Sequence, residues 1–462
     1  MKLTILEIHL KLATQAKVYC GCRNSQDFDN DTPNTYVCPT CTAQPGALPV
    51  VNHEAIIKAL ELGKVLCIPN PHPTRDRKSY FYPDSPVGYQ ITQALNPING
   101  ESFSFWNSSY TQLHTISIQQ AHLENDTAKT IHMDSKAYLD FNRCGTPLVE
   151  IVTRPNFHSA DEVTDFLKEL QRIVKWNNIA YADLEKGQMR VDVNLSVSPD
   201  DTLGTRVEIK NMNSFSAIRR AIDYEYNRHV AIIQAHIDQA TVGWDDAKTE
   251  TYMMRSKEDS MDYRYFPEPD LPALDIHNDI ANLTQCELII PSQEIKWMVS
   301  QFNKEYINAL TNDLSILHYF KHILEHNISP HTIAKWMTLM MGQIQIHING
   351  LKFTQGQFIE FCTLNDKSLS DHHAKTIIEH MINSGKSASD LIHELGFDQQ
   401  SDIDLLPIIT QVVEANPKVL EDYKKPSAAF FIQVMKATAG KCDPRQVKAV
   451  VEECLITYLD QI

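Results

Sequence analysis

The chain has 462 residues, 43% hydrophobic and 22% charged, with 42 Lys and Arg against 58 Asp and Glu, a formal net charge of −16. These values predict a globular chain of two to four domains and exclude a mostly disordered or collagen-like one. An acidic balance also excludes a protein that grips nucleic acid over its whole surface, because phosphate binding needs Lys and Arg; any such contact must come from a local basic patch.

Residues 6–12 alternate strictly, placing Glu7, His9 and Lys11 on one side of a predicted strand and Leu6, Ile8, Leu10 and Leu12 on the other. Glu7 and His9 also stand where a secretion signal would need an apolar core, so none is predicted. No apolar run approaches the roughly 18–20 residues of a membrane span. Cys20, Cys22, Cys38 and Cys41 follow as C-x-C and C-P-T-C pairs. Four thiolates complete a tetrahedral zinc shell with no position open to water, which marks a structural centre. The polar segment 27–35 has little to fold on without such a staple. Four reduced thiols in a loop is the alternative. The other six cysteines are expected to be core or surface thiols.

Proline and asparagine turns at 69–73 and 96–100 punctuate short strands. Residues 122–126 gather Glu124 and Asp126 beside Lys129, and the apolar run 147–152 encloses Glu150. A buried carboxylate needs a metal, an arginine or hydrogen-bond donors. A helix is predicted over 158–176, opened by Ser159 with Glu162 three residues on, a capping box. Two more alternating strands place Arg190, Asp192, Asn194 and Ser196 on one face, and Arg206, Glu208 and Lys210 on another. A helix over 216–236 follows. A solvated sheet face alternates in the same way. What points to a site is that these faces carry acids, arginines, amides and a histidine instead of Thr and Lys. Carboxylates with one imidazole suit Mg²⁺ holding a nucleotide phosphate, and neighbouring Arg and Lys can take transferred phosphoryl charge.

Beyond residues 267–272 the periodicity turns helical, over 292–306, 315–327, 330–341, 354–364 and 370–384, then in a terminal bundle of 405–416, 428–437 and 444–459. The chain is therefore α+β in three parts: 1–290 with the cysteine knuckle at 20–41, 291–398, and 399–462. Ser384-Gly385-Lys386-Ser387 imitates the end of a P-loop, but His380 stands in place of the first glycine and a helix precedes it. No dinucleotide fingerprint, nucleophile elbow or H-E-x-x-H is present.

Several long blocks carry a resemblance. They include Glu7-x-His9, Cys38-Pro39-x-Cys41, Pro45-Gly46-Ala47-Leu48-Pro49-Val50, Asp76-Arg77-Lys78-x-Tyr80-Phe81-Tyr82-Pro83-Asp84 and Asn142-Arg143-x-Gly145-Thr146-Pro147-Leu148-x-Glu150. Gly204-Thr205-Arg206-Val207-Glu208-Ile209-Lys210-Asn211 and Asp262-Tyr263-Arg264-Tyr265-Phe266-Pro267-Glu268-Pro269-Asp270 extend the series. Together, over almost the whole chain, they resemble the GatB family, the B subunits of tRNA-dependent aspartyl/glutamyl amidotransferases.

The resemblance implies a glutamine-synthetase-like antiparallel cradle, then an all-α helical domain and a YqeY-like tail that binds tRNA. It implies a cytoplasmic ATP-dependent ligase. The side-chain carboxylate of Glu or Asp, misloaded on tRNA(Gln) or tRNA(Asn), is phosphorylated, and ammonia from a glutaminase A subunit displaces the phosphate. A small C subunit completes the heterotrimer. Carried over residue by residue, it implies Mg²⁺ on His9, Glu124 and Glu150, with Glu7 and Asp192 on the same polar face. Asp76, Arg77, Lys78, Tyr82, Arg190, Arg206, Glu208 and Lys210 are implied to meet nucleotide or the acylated tRNA end, and Cys20, Cys22, Cys38 and Cys41 to hold zinc.

The family's acidic block E-E-D-A-G-K appears here as Glu124-Asn125-Asp126-Thr127-Ala128-Lys129. The second Glu is implied to be a metal-site and ammonia-gate position, so Asn125 raises an alternative: a paralogue with an impaired site, acting in tRNA binding or assembly. A third reading is a free-standing ligase acting on a free amino acid. In the tail, Lys424, Lys425, Lys436, Lys441, Arg445 and Lys448 outnumber Asp422 and Asp443 over 422–448, a local basic patch where the resemblance places tRNA.

Overall fold

The computed structural model of the protein describes residues 2–27, 30–66, 73–95, 97, 102–198, 203–232, 238–256, 262–271, 276–284, 287–342, 348–367, 369–397 and 405–415, with single positions at 433, 434, 437, 447 and 450. The chain divides into two units, Met1–Lys304 and Glu305–Ile462. Apart from those single positions, the predicted helices 428–437 and 444–459, with Lys424, Lys425, Lys436 and Lys441, lie outside the described residues.

The first unit is built on an eight-stranded sheet. In chain order its elements are β1 (Lys2–Lys11), α1 (His53–Leu66), β2 (Asp76–Ser79), β3 (Tyr89–Thr92), β4 (Ser102–Trp106), β5 (Leu113–Asn125), β6 (Lys129–Met133), β7 (Lys136–Asp140), β8 (Pro147–Thr153), α2 (Ala160–Trp176), β9 (Met189–Val197), β10 (Arg206–Lys210), α3 (Phe215–Ala231), β11 (Ala240–Asp245), β12 (Glu250–Ser256), β13 (Phe266–Pro267), α4 (His277–Thr284) and α5 (Pro291–Met298). The large sheet has the order β12-β11-β10-β9-β1-β8-β5-β4. Its ladders are antiparallel except β10 with β11, which run parallel. The expected antiparallel cradle thus contains one parallel pair. Parallel neighbours need a crossover, and α3 provides it.

Alternation in β1 works as its sequence dictates. Leu6, Ile8 and Leu10 are fully buried, together with Val193 and Leu195 of β9 and Ile151 of β8, in one core with Phe166, Leu167 and Leu170 of α2 and Ile218 and Ile222 of α3. Each such side chain contributes about 1.5–3 kcal/mol by leaving water. The other side of these strands is left to polar residues. α2 begins as predicted: the Ser159 hydroxyl accepts from the Glu162 N–H at 3.1 Å. Glu162 reaches back one residue further than a capping box requires, accepting from the His158 N–H at 2.7 Å.

On α3, Glu225 is fully buried and accepts from Arg228 and Thr251, with the His229 ring 3.4 Å away. Burial alone would raise its pKa, but these donors hold it at about 2. A carboxylate with a depressed folded pKa stabilises above its unfolded value near 4.5 and loses that contribution as pH falls towards 2. Glu225→Gln is therefore expected to lose about 3 kcal/mol at neutral pH and to converge with the parent only at about pH 2 and below. Urea titrations at both pH values check this; equal losses at both would refute it.

The predicted helix 292–306 is two helices. α5 ends at Met298, and a turn buries Phe302 edge-on to Trp297 before α6 (Lys304–Leu310) begins. The second unit continues with α7 (Leu314–Leu324), α8 (Pro330–Gly342), a 3₁₀ turn (Ile348–Gly350), α9 (Gln355–Lys367), α10 (Asp371–Ser384), α11 (Ala388–Leu395) and α12 (Leu405–Ala415). The P-loop imitation has a plain structural role. Gly385 caps α10 with φ +74, where a Cβ would meet the Lys352 carbonyl at 2.9 Å, and Ser387 caps α11 by accepting from the Asp390 N–H. Among the described residues, no helix is long and apolar enough to cross a membrane.

Candidate functional site

The polar side of the sheet brings together residues that are far apart in sequence. In register, His9 of β1 stands opposite Glu150 of β8, and Glu150 stands opposite His122 of β5. Two residues along β5, on the same face, is Glu124. His9 Nε2 lies 3.5 Å from Glu124 Oε1 and 3.6 Å from Glu150 Oε2. One ligand atom from each of His9, Glu124 and Glu150 falls within 4.8 Å of the others. Two carboxylates and one imidazole, which would leave three of six octahedral positions for water or phosphate oxygens, fit Mg²⁺. Glu150, flagged by its apolar surroundings, finds its hydrogen-bond donor in His122, 3.1 Å away. Burial opposes charge on both partners, yet His122 holds the Glu150 carboxyl near 2, and Glu124 followed by Glu150 pushes His122 up to about 9.

A second group lies beside the first. Glu7 of β1 faces Asp192 of β9, and Glu208 of β10 completes a set of carboxylates within 4.8 Å. Lys210 reaches into this set, bonding to Asp192 and, at 2.7 Å, to Glu208. Glu7 accepts from Asn194 at 2.9 Å. Its own pKa is raised, first by burial and then by Glu150, Glu208 and Asp192.

Asp126 is engaged elsewhere: Arg190 donates to it at 2.8 Å, and Arg143 approaches to 3.5 Å. Beside these groups opens a cavity of about 480 Å³, lined among others by His9, Lys11, Arg143, Arg190, Asp192 and Lys210. Lys11, Lys129, Arg143, Lys186, Arg190 and Lys210 outnumber Asp27, Asp126, Glu185 and Asp192 in its lining, a balance that attracts anions.

The four cysteines converge as well, with Sγ atoms of Cys20, Cys22, Cys38 and Cys41 within 4.8 Å of one another. Zinc–sulfur bonds of about 2.3 Å place tetrahedral sulfurs within that span. Cys41 is poised as a thiolate: hydrogen bonding from Cys20 and the nearby Lys17 ammonium bring its pKa down to about 4, against burial. Lys17 is fully buried and donates to the carbonyls of Tyr36 (2.8 Å) and Phe141 (3.1 Å) and to Cys41 Sγ (3.6 Å).

Comparison with known proteins places this geometry. Residues 4–282 match the GatB/GatE catalytic domain, and residues 318–455 match the GatB domain. The chain is 38% identical to the B subunit of the aspartyl/glutamyl-tRNA(Asn/Gln) amidotransferase of Clostridium kluyveri, covering 98% of each chain. It is 38% identical to that of Elusimicrobium minutum, covering 97% of this chain and 98% of the relative, and 36% identical to that of Symbiobacterium thermophilum, covering 97% and 96%. The chain belongs to the GatB family.

Within this GatB chain the predicted residues separate into two sets. His9, Glu124, Glu150, Glu7, Asp192, Glu208, Lys210 and Arg190 share the polar face. Asn125 does not join Glu124 in the ligand set: adjacent strand residues point to opposite faces, and its Oδ1 accepts from the Ile91 N–H at 2.9 Å. The impaired-site reading rested on Asn125, and the His9/Glu124/Glu150 set is complete without it.

Asp76 is fully buried and accepts from Thr74 and the Leu95 N–H, so it pins a loop. The Arg77 guanidinium is spent on Glu268 and Asp270 and lies 3.7 Å from the Tyr89 ring centroid. Lys78 sits over Tyr263 at 4.5 Å, and its charge acts on Glu150. Tyr82 is exposed and stacks on Tyr80. Arg206 is exposed at the start of β10. Sequence reasoning missed His122, Arg143 and Lys11 as site residues. His122-x-Glu124 carries the same period-two signal as Glu7-x-His9, so His122 could have been found.

Proposed function

We propose that this GatB chain phosphorylates the side-chain carboxylate of Glu-tRNA(Gln), Asp-tRNA(Asn) or both with ATP, and then amidates it with ammonia. A glutaminase A subunit supplies the ammonia and a small C subunit holds the cytoplasmic heterotrimer together. The observation that carries this reading is the His9/Glu124/Glu150 set, whose His9 also lines a cavity with Lys11, Arg143, Arg190 and Lys210. A carboxylate is a poor acyl donor because its oxygen leaves badly. Transfer of the γ-phosphoryl group to that oxygen releases ADP and creates a leaving group. Nitrogen then attacks the acyl carbon, phosphate departs with its oxygen, and the amine loses a proton.

His9, Glu124 and Glu150 would hold Mg²⁺, which when bound neutralises phosphate oxygens. Lys11, Arg143, Arg190 and Lys210 line the cavity where those anions enter. Glu7, with its raised pKa and its place on the same face, is suited to take the proton from the attacking amine. Cys20, Cys22, Cys38 and Cys41 hold a structural zinc. The sheet is a glutamine-synthetase-like cradle, with a helical domain over 291–398 and a YqeY-like tRNA-binding tail over 399–462.

The deciding experiment assembles the chain with A and C subunits and assays amidation of both misacylated tRNAs. Glutamine hydrolysis without Gln-tRNA or Asn-tRNA would sink the proposal, and amidation of a free amino acid would favour the free-standing ligase. Asn125→Glu is expected to change the rate by no more than about twofold, since its side chain lies off the ligand set; a large rise would restore the impaired-site reading. Replacing Lys424, Lys436 and Lys441 together should weaken tRNA binding and flatten its salt dependence by about three units of log–log slope. Unchanged affinity would make that patch ordinary surface.

A further inference from the structure

Glu150 stands between two histidines that are not equivalent. His9, on β1, keeps 3.5–3.6 Å from Glu124 and Glu150, too far for a good hydrogen bond and suited to sharing an ion. His122, on β5, comes within 3.1 Å of Glu150 Oε2 and lies 3.7 Å from Glu124 Oε2, whereas His9 approaches the other Glu124 oxygen. Its side chain is 10% exposed, so water cannot readily stand in for it.

Among the described residues, buried His122 Nδ1 has no hydrogen-bond partner, so the ring's polar contacts are made through Nε2. Nε2 faces the Glu150 carboxylate, which can only accept, so the contact needs a proton on Nε2. A nitrogen that donates a proton cannot also coordinate a cation.

We infer that His122 is a positioning residue for the cation: it donates Nε2–H to Glu150, fixes that carboxylate's orientation, and leaves coordination to His9, Glu124 and Glu150. The inference rests on the Mg²⁺ reading proposed above and assigns a role to a residue outside its ligand set. Outer-shell partners of this kind typically carry 10–100-fold in metal affinity.

The test measures binding of Mn²⁺, as a spectroscopic substitute for Mg²⁺, to the full chain by electron paramagnetic resonance, without reference to turnover. H122F keeps the ring shape and removes the donor; H122Q restores an N–H near the Nε2 position. Expected are a loss of about 10–100-fold for H122F and near-parental affinity for H122Q. Parental affinity in a folded H122F overturns the role, and so does an H122Q as weak as H122F, which would point to direct coordination. If H122F fails to fold, ring-nitrogen NMR of the unsubstituted chain decides. His122 Nε2 should keep its proton when Mg²⁺ is added, and losing it would overturn the inference. If the unsubstituted chain binds no Mn²⁺ at all, the Mg²⁺ reading itself fails, an outcome distinct from parental affinity in H122F.

Discussion

Glu150→Gln is expected to abolish amidation in the assembled enzyme, lowering kcat by about 10³-fold or more while leaving tRNA affinity and glutamine hydrolysis intact. The substitution removes one of two carboxylate charges from the His9/Glu124/Glu150 set. It also replaces the charged acceptor of His122, 3.1 Å away, with a neutral amide. Loss of about 4 kcal/mol of transition-state stabilisation corresponds to about three decades in rate. The defect should lie in the first step, so single-turnover assays should show no ADP formed on mixing with ATP and misacylated tRNA. Parental ADP formation in the variant would remove Glu150 from phosphoryl transfer. A fall in tRNA affinity instead of rate would make it a substrate-binding residue.

The second large effect is expected at the cysteines. Cys41→Ser should lose about one zinc per chain and lower the thermal midpoint by at least about 10 °C. Residues 17–27 and 30–52 have few backbone bonds outside the segment, among them the Val18 N–H to Gly145 and the Asn24 N–H to Gln15. Most of the segment between Cys20 and Cys41 is only half-buried or exposed, so little apolar burial is available to hold it. Structural zinc sites supply about 10–16 kcal/mol in small peptides, enough to hold such a segment. Metal analysis beside a thermal melt checks this. A parental midpoint with no metal in either protein would leave four reduced thiols in a loop.

The fold was legible where period-two alternation was strict. Leu6, Ile8 and Leu10 announced which side of β1 is buried, and Glu7 and His9 which side is not. The site was less legible because it is assembled by register. No spacing in the sequence says that His9 meets Glu150, or that Glu150 meets His122. Asn125 entered through the resemblance, which matches it to the family's second Glu; along β5 it points to the face opposite Glu124, a division that no resemblance displays. The charged Asp76-Arg77 pair looked like substrate chemistry, but Arg77 is consumed by Glu268 and Asp270, an interaction spanning most of the first unit and invisible in local pattern. The helix break after Met298 was hidden because Phe302 continues an apolar rhythm across a turn.

The order of strands in the large sheet has a consequence for how the protein comes into being. β1 is a central strand, yet its two neighbours, Pro147–Thr153 and Met189–Val197, arrive much later in the chain. During synthesis a strand with two unsatisfied edges must wait for both, exposed to wrong pairings and to chaperones. Such non-local pairing slows folding. Because the proposed cation ligands sit on β1, β8 and β5, that set cannot form before β8 pairs with β1. A nascent chain halted short of residue 147 should bind no divalent cation at this face, so capacity for the first reaction step would appear abruptly with chain length.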